Sequence, residues 1–180
     1  MKKLFAVLAV AVLMVMSVNA QEPSFNKGDK VLNIGVGLSM LYVGTGYHMV
    51  IPPVSGSLDI GIVDGILEKA AVGVGPYIGF SQTKWEYLGY GWKYTDLVLG
   101  ARGSFHYPFV DKLDTYAGVL LGYDIASSKE IGTPVGSPDS GHFVHSEFVG
   151  ARYYLKDSFA VFAELGYGIS WLTGGVTLKF

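Results

Sequence analysis

One short stretch of the chain gathers residue types that hydrolytic chemistry needs. His142, His145, Ser146 and Glu147 could supply a base, a nucleophile and an acid. In a β-strand, however, neighbouring side chains point to opposite faces, so His145 cannot reach Ser146 directly. The same rule separates His142 from His145 as a pair of metal ligands. We therefore predict no catalytic, metal or cofactor site, and a lipid A-modifying enzyme is the least favoured alternative.

Two glycine pairs have the look of a phosphate-binding loop. They are Gly35-Val36-Gly37 and Gly73-Val74-Gly75. A phosphate site of this kind needs a helix N-terminus directly after the glycines, and no helical pattern follows either motif. We interpret both as small residues on a crowded strand face.

Ionisable residues scattered singly among glycine, serine and threonine are the remaining candidates. They carry both signs, so they could pair inside a fold or line a water-filled channel. We predict a packed polar network in a barrel interior, with Arg152 paired to Glu164, and keep an open pore as the alternative. The network comprises Asp59, Asp96, Arg102, Asp124, Arg152 and Glu164.

The elements that would position these residues alternate in polarity. Over residues 172–180, Val176, Leu178 and Phe180 fall on one face, while Thr177 and Lys179 fall on the other. Glycines and prolines punctuate the chain into about eight such segments. They cover approximately residues 31–40, 55–63, 71–81, 93–107, 115–126, 143–155, 159–169 and 172–180.

The two faces of these segments differ in a way that indicates lipid on the outside. One face is apolar and nearly uncharged, and in water it would be a very large exposed patch. The other face is mostly small residues, whereas a soluble barrel fills its interior with large apolar ones. Aromatic residues concentrate near the segment ends, as membrane-interface belts do, with Phe105 and Tyr153 at one end and Trp92 at the other. We therefore predict an all-β fold, an eight-stranded antiparallel transmembrane up-and-down β-barrel.

The N-terminus predicts export. A basic start, an uncharged run over residues 4–18 and small residues before Gln21 are typical of a cleaved secretory signal, here residues 1–20. A membrane anchor helix is the alternative, but the run is short for one. Residues 21–29 would be a periplasmic segment and residues 30–180 the barrel domain. The chain has no cysteine, so it forms no disulfide. Its formal net charge of −2 argues against nucleic acid as a partner.

The predicted connections alternate between long and short. Residues 41–54, 82–92 and 127–141 would be long outer loops, and a turn at residues 108–114 is one of the short periplasmic ones. The loop at residues 41–54 has no charged residue. It could bind a partner or hydrophobic ligand, or simply extend the strands or fold over the barrel mouth, which is the favoured reading.

Three motifs carry a family resemblance: GVTLKF at residues 175–180, GARYY at 150–154 and ELGYG at 164–168. On these, the chain resembles the small OmpA/OmpX-like outer-membrane barrels of the porin family. The resemblance implies an outer-membrane location in a Gram-negative cell, contact with outer-membrane lipid, and a signal for the barrel-assembly machinery at Val176, Leu178 and Phe180. We also expect a monomer.

The resemblance says little about activity. The first hypothesis is a non-enzymatic structural or surface-interaction role through extracellular loops, with an unknown surface or host ligand. Passive passage of small or hydrophobic solutes is the alternative.

Overall fold

The computed structural model describes residues 24–38, 46–132, 141–167 and 169–180, so the predicted signal over residues 1–20 lies outside the described part. Eight antiparallel strands close into a barrel in chain order, which confirms the predicted fold class. Across these ranges, no helix has the length and apolar character to cross a membrane. The strands are β1 (Lys30–Leu38), β2 (Tyr47–Ile66), β3 (Ala70–Tyr87), β4 (Tyr90–Val110), β5 (Leu113–Ile131), β6 (His142–Lys156), β7 (Phe159–Gly166) and β8 (Leu172–Lys179).

The first and last strands pair with each other and remove the edges of the sheet. Their register runs from Val31 opposite Lys179 to Leu38 opposite Leu172. The terminal residue extends the ladder, because the Phe180 backbone N–H donates to the Lys30 carbonyl at 3.0 Å. Closure leaves no row of unpaired backbone groups along the barrel wall.

Four neighbouring strands, β2 to β5, are longer than the sequence pattern predicts. Each has 18 to 21 residues, whereas about 10 suffice for a tilted strand to cross a bilayer. The predicted loop at residues 82–92 is wrong, because it forms a hairpin that continues β3 and β4. Residues 47–54 likewise belong to β2, and residues 127–131 belong to β5.

These extensions form a four-stranded sheet beyond one end of the barrel. We call it the outer sheet. Its β3–β4 hairpin is formed by register pairs such as Trp85 opposite Trp92. The apolar alternation of the sequence does not predict these pairs. The outer sheet comprises residues 47–51, 82–87, 90–95 and 126–131.

Tight turns join the strands at the opposite end, which carries Lys30 and Phe180. The β2–β3 turn has two successive residues with positive φ, Leu67 at 49° and Glu68 at 74°. Two positive φ values are what a type I′ hairpin turn requires. The predicted turn at residues 108–114 is shorter than expected, since β4 ends at Val110 and β5 begins at Leu113.

Side chains are sorted between the two faces of the barrel as the alternation predicts. Val176 and Leu178 are 39% and 42% exposed on the exterior, whereas Arg152 is fully buried in the lumen. Among the predicted belt aromatics, Phe105 and Tyr153 are exposed towards the turn end. Trp92 departs from that prediction, because it is buried on the inner side of the outer sheet. A soluble barrel has the reverse sorting of its two faces, with large apolar side chains in the interior and polar ones on the surface.

The N-terminal segment closes the turn end of the lumen. Phe25 is buried there, and its ring stacks on that of His106 with the centroids 4.0 Å apart. The Gly28 N–H donates to the Gly61 carbonyl at 2.9 Å. The Asp29 carboxylate lies 2.7 Å from the ammonium of Lys179. The described part of this segment, residues 24–29, therefore covers the turn end of the lumen. We call it the stopper.

Close packing of the wall gives a stability test. A Cβ at Gly75 would lie 1.6 Å from the Leu58 carbonyl oxygen, whereas a Cβ at Gly103 would meet nothing within 4 Å. We expect Gly75→Ala to lower the free energy of unfolding by about 3 kcal/mol. The matched variant Gly103→Ala should change it by less than about 0.5 kcal/mol. Urea unfolding followed by gel migration measures both, and equal stabilities would contradict the close approach.

Candidate functional site

The lumen is filled near its turn end by an ion cluster centred on Arg152. Its guanidinium contacts the carboxylates of Asp59, on β2, and of Asp114, on β5, the latter at 2.9 Å. The Nε–H donates to the side-chain oxygen of Asn33 at 3.1 Å, and the guanidinium lies 4.3 Å from the ring centroid of Tyr116. We call these residues the lower layer. Each guanidinium nitrogen has a partner, which is the condition under which a charge tolerates burial.

His106 joins the lower layer to the N-terminal stopper. Its Nδ1 lies 3.0 Å from an Asp114 carboxylate oxygen, and its Nε2 lies 2.9 Å from the Ser104 hydroxyl. Phe25 covers the ring from below. The histidine is thus a buried link between the ion cluster and the stopper.

A second layer of contacting side chains, which we call the upper layer, lies further along the lumen. Together, the lower and upper layers are the plug layers. Arg102 donates to Glu164 at 2.6 Å and to the Ser57 hydroxyl at 3.3 Å. Its guanidinium also lies 3.7 Å from the centroid of the Phe148 ring. The Tyr116 hydroxyl donates to the same Glu164 oxygen at 3.2 Å and connects the two layers.

The predicted pairing of Arg152 with Glu164 is wrong. Glu164 lies opposite Gly150 in the β6–β7 register, two residues along the strand from Arg152, and there it meets Arg102. Arg152 lies directly opposite Asp114 in the β5–β6 register. Sequence reasoning missed Asp114 because it assigned this residue to a turn. Because the β4–β5 turn is shorter than predicted, Asp114 lies within β5 and its carboxylate lies in the lumen.

Above the upper layer the lumen opens into a cavity of about 370 Å³, which we call the cup. Its lining includes Asp96 and Asp124, the two remaining members of the predicted network. Asp96 accepts a hydrogen bond from the Ser81 hydroxyl at 3.2 Å. The buried Oδ1 of Asp124 has no hydrogen-bond partner, and neither carboxylate forms a salt bridge within the described ranges. The cup therefore contains two carboxylates without a salt bridge, and His142 is also in its lining.

The predicted network thus falls into two groups, residues that form salt bridges and residues that do not. Four members are held in the two plug layers: Asp59, Arg102, Arg152 and Glu164. The other two line the cup and are buried, at 8% exposed for Asp96 and 7% for Asp124. Removing one partner of a buried ion pair leaves an uncompensated charge, whereas a buried carboxylate without a cation already costs stability.

The histidine–serine stretch is distributed over both faces of β6. His145 faces outwards and its ring lies 3.1 Å from the Glu147 carboxylate. Ser146 and His142 lie on the opposite face of the strand, and the lining of the cup includes both of them as well as His145. No group of three or more His, Cys, Asp or Glu side chains in the described ranges could hold a metal ion. The two glycine motifs lie within β1 and β3, as predicted, and β3 continues as a strand to Tyr87 beyond the second motif.

The predicted assembly residues lie on the outer wall. Val176, Leu178 and Phe180 are exposed, the last at the end of the ladder with β1. Their recognition by assembly machinery stays a prediction.

Comparison with known proteins identifies the fold. The chain is similar to the outer membrane protein OprG from Pseudomonas aeruginosa, with 11% identity, a TM-score of 0.57, and coverage of 88% of this chain and 99% of that one. The N-terminal β-barrel domain of Pseudomonas aeruginosa OprF is also similar, with 14% identity, a TM-score of 0.46 and coverage of 87% and 100%. No protein-family model matches the chain, and no curated sequence does.

The lower layer predicts a large stability effect at Arg152. Arg152→Ala leaves two buried carboxylates without their cation, so the free energy of unfolding should fall by about 3–5 kcal/mol. Lys156→Ala, an exposed change on the same strand, is the control and should have little effect. Because the upper layer remains in place, Arg152→Ala should not conduct ions. A conducting variant with unchanged stability would refute this account of the layer.

The division of the network gives a second prediction. Asp59→Asn removes a charge that pairs with Arg152, so we expect a loss of about 3 kcal/mol. Asp124→Asn removes an unpaired buried charge, so the free energy of unfolding should stay unchanged or increase. Urea denaturation of both variants makes the comparison. Equal destabilisation would show that Asp124 also supports the fold.

Proposed function

We propose that this chain is an outer-membrane barrel with a structural and surface-interaction role, rather than an open ion channel. The observation that carries the proposal is that two layers of side chains fill the lumen. The lower and upper layers fill the lumen with paired charges and rings, and Phe25 covers the turn end. An eight-stranded barrel is only just wide enough to be filled by side chains in this way.

The exterior supports placement in a bilayer. On β4, outward-facing apolar residues run from Leu97 to Phe105, with Tyr107 and Phe109 beyond them at the turn end. About 9–11 residues of a tilted strand cross the hydrocarbon core. The resemblance to OmpA/OmpX-like barrels, the predicted export signal and the likeness in fold to OprG favour the outer membrane in particular.

The outer sheet supports a surface role. It extends the wall well beyond the length that a bilayer requires, and its tip is apolar. Tyr87, Leu88 and Tyr90 at that tip are 61%, 80% and 51% exposed. An exposed apolar tip on a paired hairpin is typical of an interaction site. We therefore assign the contact with an envelope or host partner to the β3–β4 hairpin.

Capture of small solutes is the second candidate, and the cup favours it. A cavity of about 370 Å³ is large enough for a small molecule, and it lies at the outer end of the lumen. For transport, however, the solute would need a route past Arg102 and Phe148. A solute could bind in the cup without passing through the barrel.

Conductance measurement separates these functions. Because both plug layers are closed, the wild-type chain reconstituted in a planar lipid bilayer should show no discrete channel openings. The variant Arg102→Ala with Phe148→Ala removes only the upper layer and should also stay closed, because the lower layer remains in place. Adding Arg152→Ala opens both layers and should admit ions more readily. Faster migration of unheated protein on a gel verifies that each sample is folded. Stable porin-like openings by the wild-type protein would overturn the proposal in favour of transport.

A further inference from the structure

Three lysines form a row across the outer sheet. Lys84 lies opposite Lys93 in the β3–β4 register, and Lys93 lies opposite Lys129 in the β4–β5 register. Register partners in an antiparallel sheet project from the same face, with their Cβ atoms about 5 Å apart. We call these three residues the lysine row. It gathers positive charge on adjacent strands of a chain whose formal net charge is −2.

The lysine row lies on the lipid-facing side of the wall, just above the apolar band. Four residues nearer the barrel, the same face carries Phe80, Leu97 and Ile125, which are also in register. Four residues of a strand tilted by about 40° rise by about 10 Å along the barrel axis. The headgroup region adds roughly 5–8 Å to each side of the hydrocarbon. Lysine stems bend readily towards an interface, so these ammonium groups reach the headgroup level.

Like charges directly opposite each other destabilise a sheet, so the lysine row requires an explanation. Glu86 forms an ion pair with Lys84. Within the part of the chain that the structure describes, neither Lys93 nor Lys129 forms a salt bridge. Between the lysines lies a depression of about 350 Å³ whose lining also includes Glu130. Positive charge remains in excess there, and an anion in the depression would offset the repulsion.

We propose that the lysine row binds the phosphate groups of lipids in the outer leaflet. The ligand chemistry is a phosphorylated headgroup, whose oxygens accept hydrogen bonds from several ammonium groups. A lipid is favoured over free phosphate because the apolar band directly below can hold its acyl chains. The two contacts then act together in one molecule, which raises affinity without further protein groups. The inference rests on the proposed placement in an outer membrane.

The test compares two triple variants that make the same change in charge. Lys84→Gln, Lys93→Gln and Lys129→Gln remove the lysine row, whereas Lys69→Gln, Lys112→Gln and Lys156→Gln remove three lysines from the turn end. Full-length protein is folded in nonionic detergent, and native mass spectrometry measures binding. The probes are bis-phosphorylated lipid A, the same lipid without its phosphates, and inorganic pyrophosphate.

Wild-type protein and the turn-end variant should bind the bis-phosphorylated lipid equally. The row variant should bind it about a hundredfold more weakly, since each of the three lysines near an anionic phosphate contributes about a factor of five. The lipid without phosphates and pyrophosphate should both bind weakly to all three proteins. Equal lipid binding by the row variant would overturn the proposal, and tight binding of pyrophosphate alone would exclude a lipid source.

Insertion into phospholipid vesicles distinguishes the two proposals. If all three proteins insert and the row variant keeps full lipid binding, the lysine row is not a lipid site and the membrane assignment stands. If the wild-type protein does not insert, the membrane assignment fails, and the lipid site fails with it.

Discussion

Hydrocarbon offers no hydrogen-bond partners to a peptide group, and with the proposed placement in a membrane this constraint accounts for the closed architecture of the protein. Each unpaired backbone group in a bilayer costs several kcal/mol, so a sheet that spans it must close. The pairing of β1 with β8 provides that closure. Once the sheet is closed, the period of two in a strand directs one face to lipid and the other to the lumen. Apolar side chains therefore form the surface, and the ionisable ones are enclosed.

Enclosure determines what the charged residues can do. A narrow lumen has little water to solvate a guanidinium, so Arg152 and Arg102 are stabilised by carboxylates and aromatic rings. The interior of the barrel is thus a polar core with paired charges. Asp96 and Asp124 are different, because they border open space and have no salt bridge within the described residues. That contrast separates the supporting part of the lumen from the part that is available to a ligand.

Local periodicity predicted the strands, their order and their faces, because alternation is written along each segment. It did not predict the outer sheet, since Lys84 and Trp92 belong to polar and aromatic stretches without an apolar face. It also missed the partners of Arg152, because contacts across a lumen depend on the register and stagger of strands that are distant in sequence. The role of Phe25 was likewise invisible: a single aromatic residue in a polar segment gives no periodic signal.

The most direct test of the account asks what surrounds two adjacent residues of β5. Leu121 is 66% exposed on the outer wall, whereas Leu120 is 7% exposed in the lumen. Since the chain contains no cysteine, a spin label can be attached to a single cysteine at either position in protein inserted in lipid vesicles. The account predicts that a label at position 121 collides frequently with oxygen and rarely with a water-soluble nickel complex, and that a label at position 120, which borders the cup, collides less often with oxygen. Frequent collision with nickel at position 121 would place that wall in water and contradict the membrane assignment.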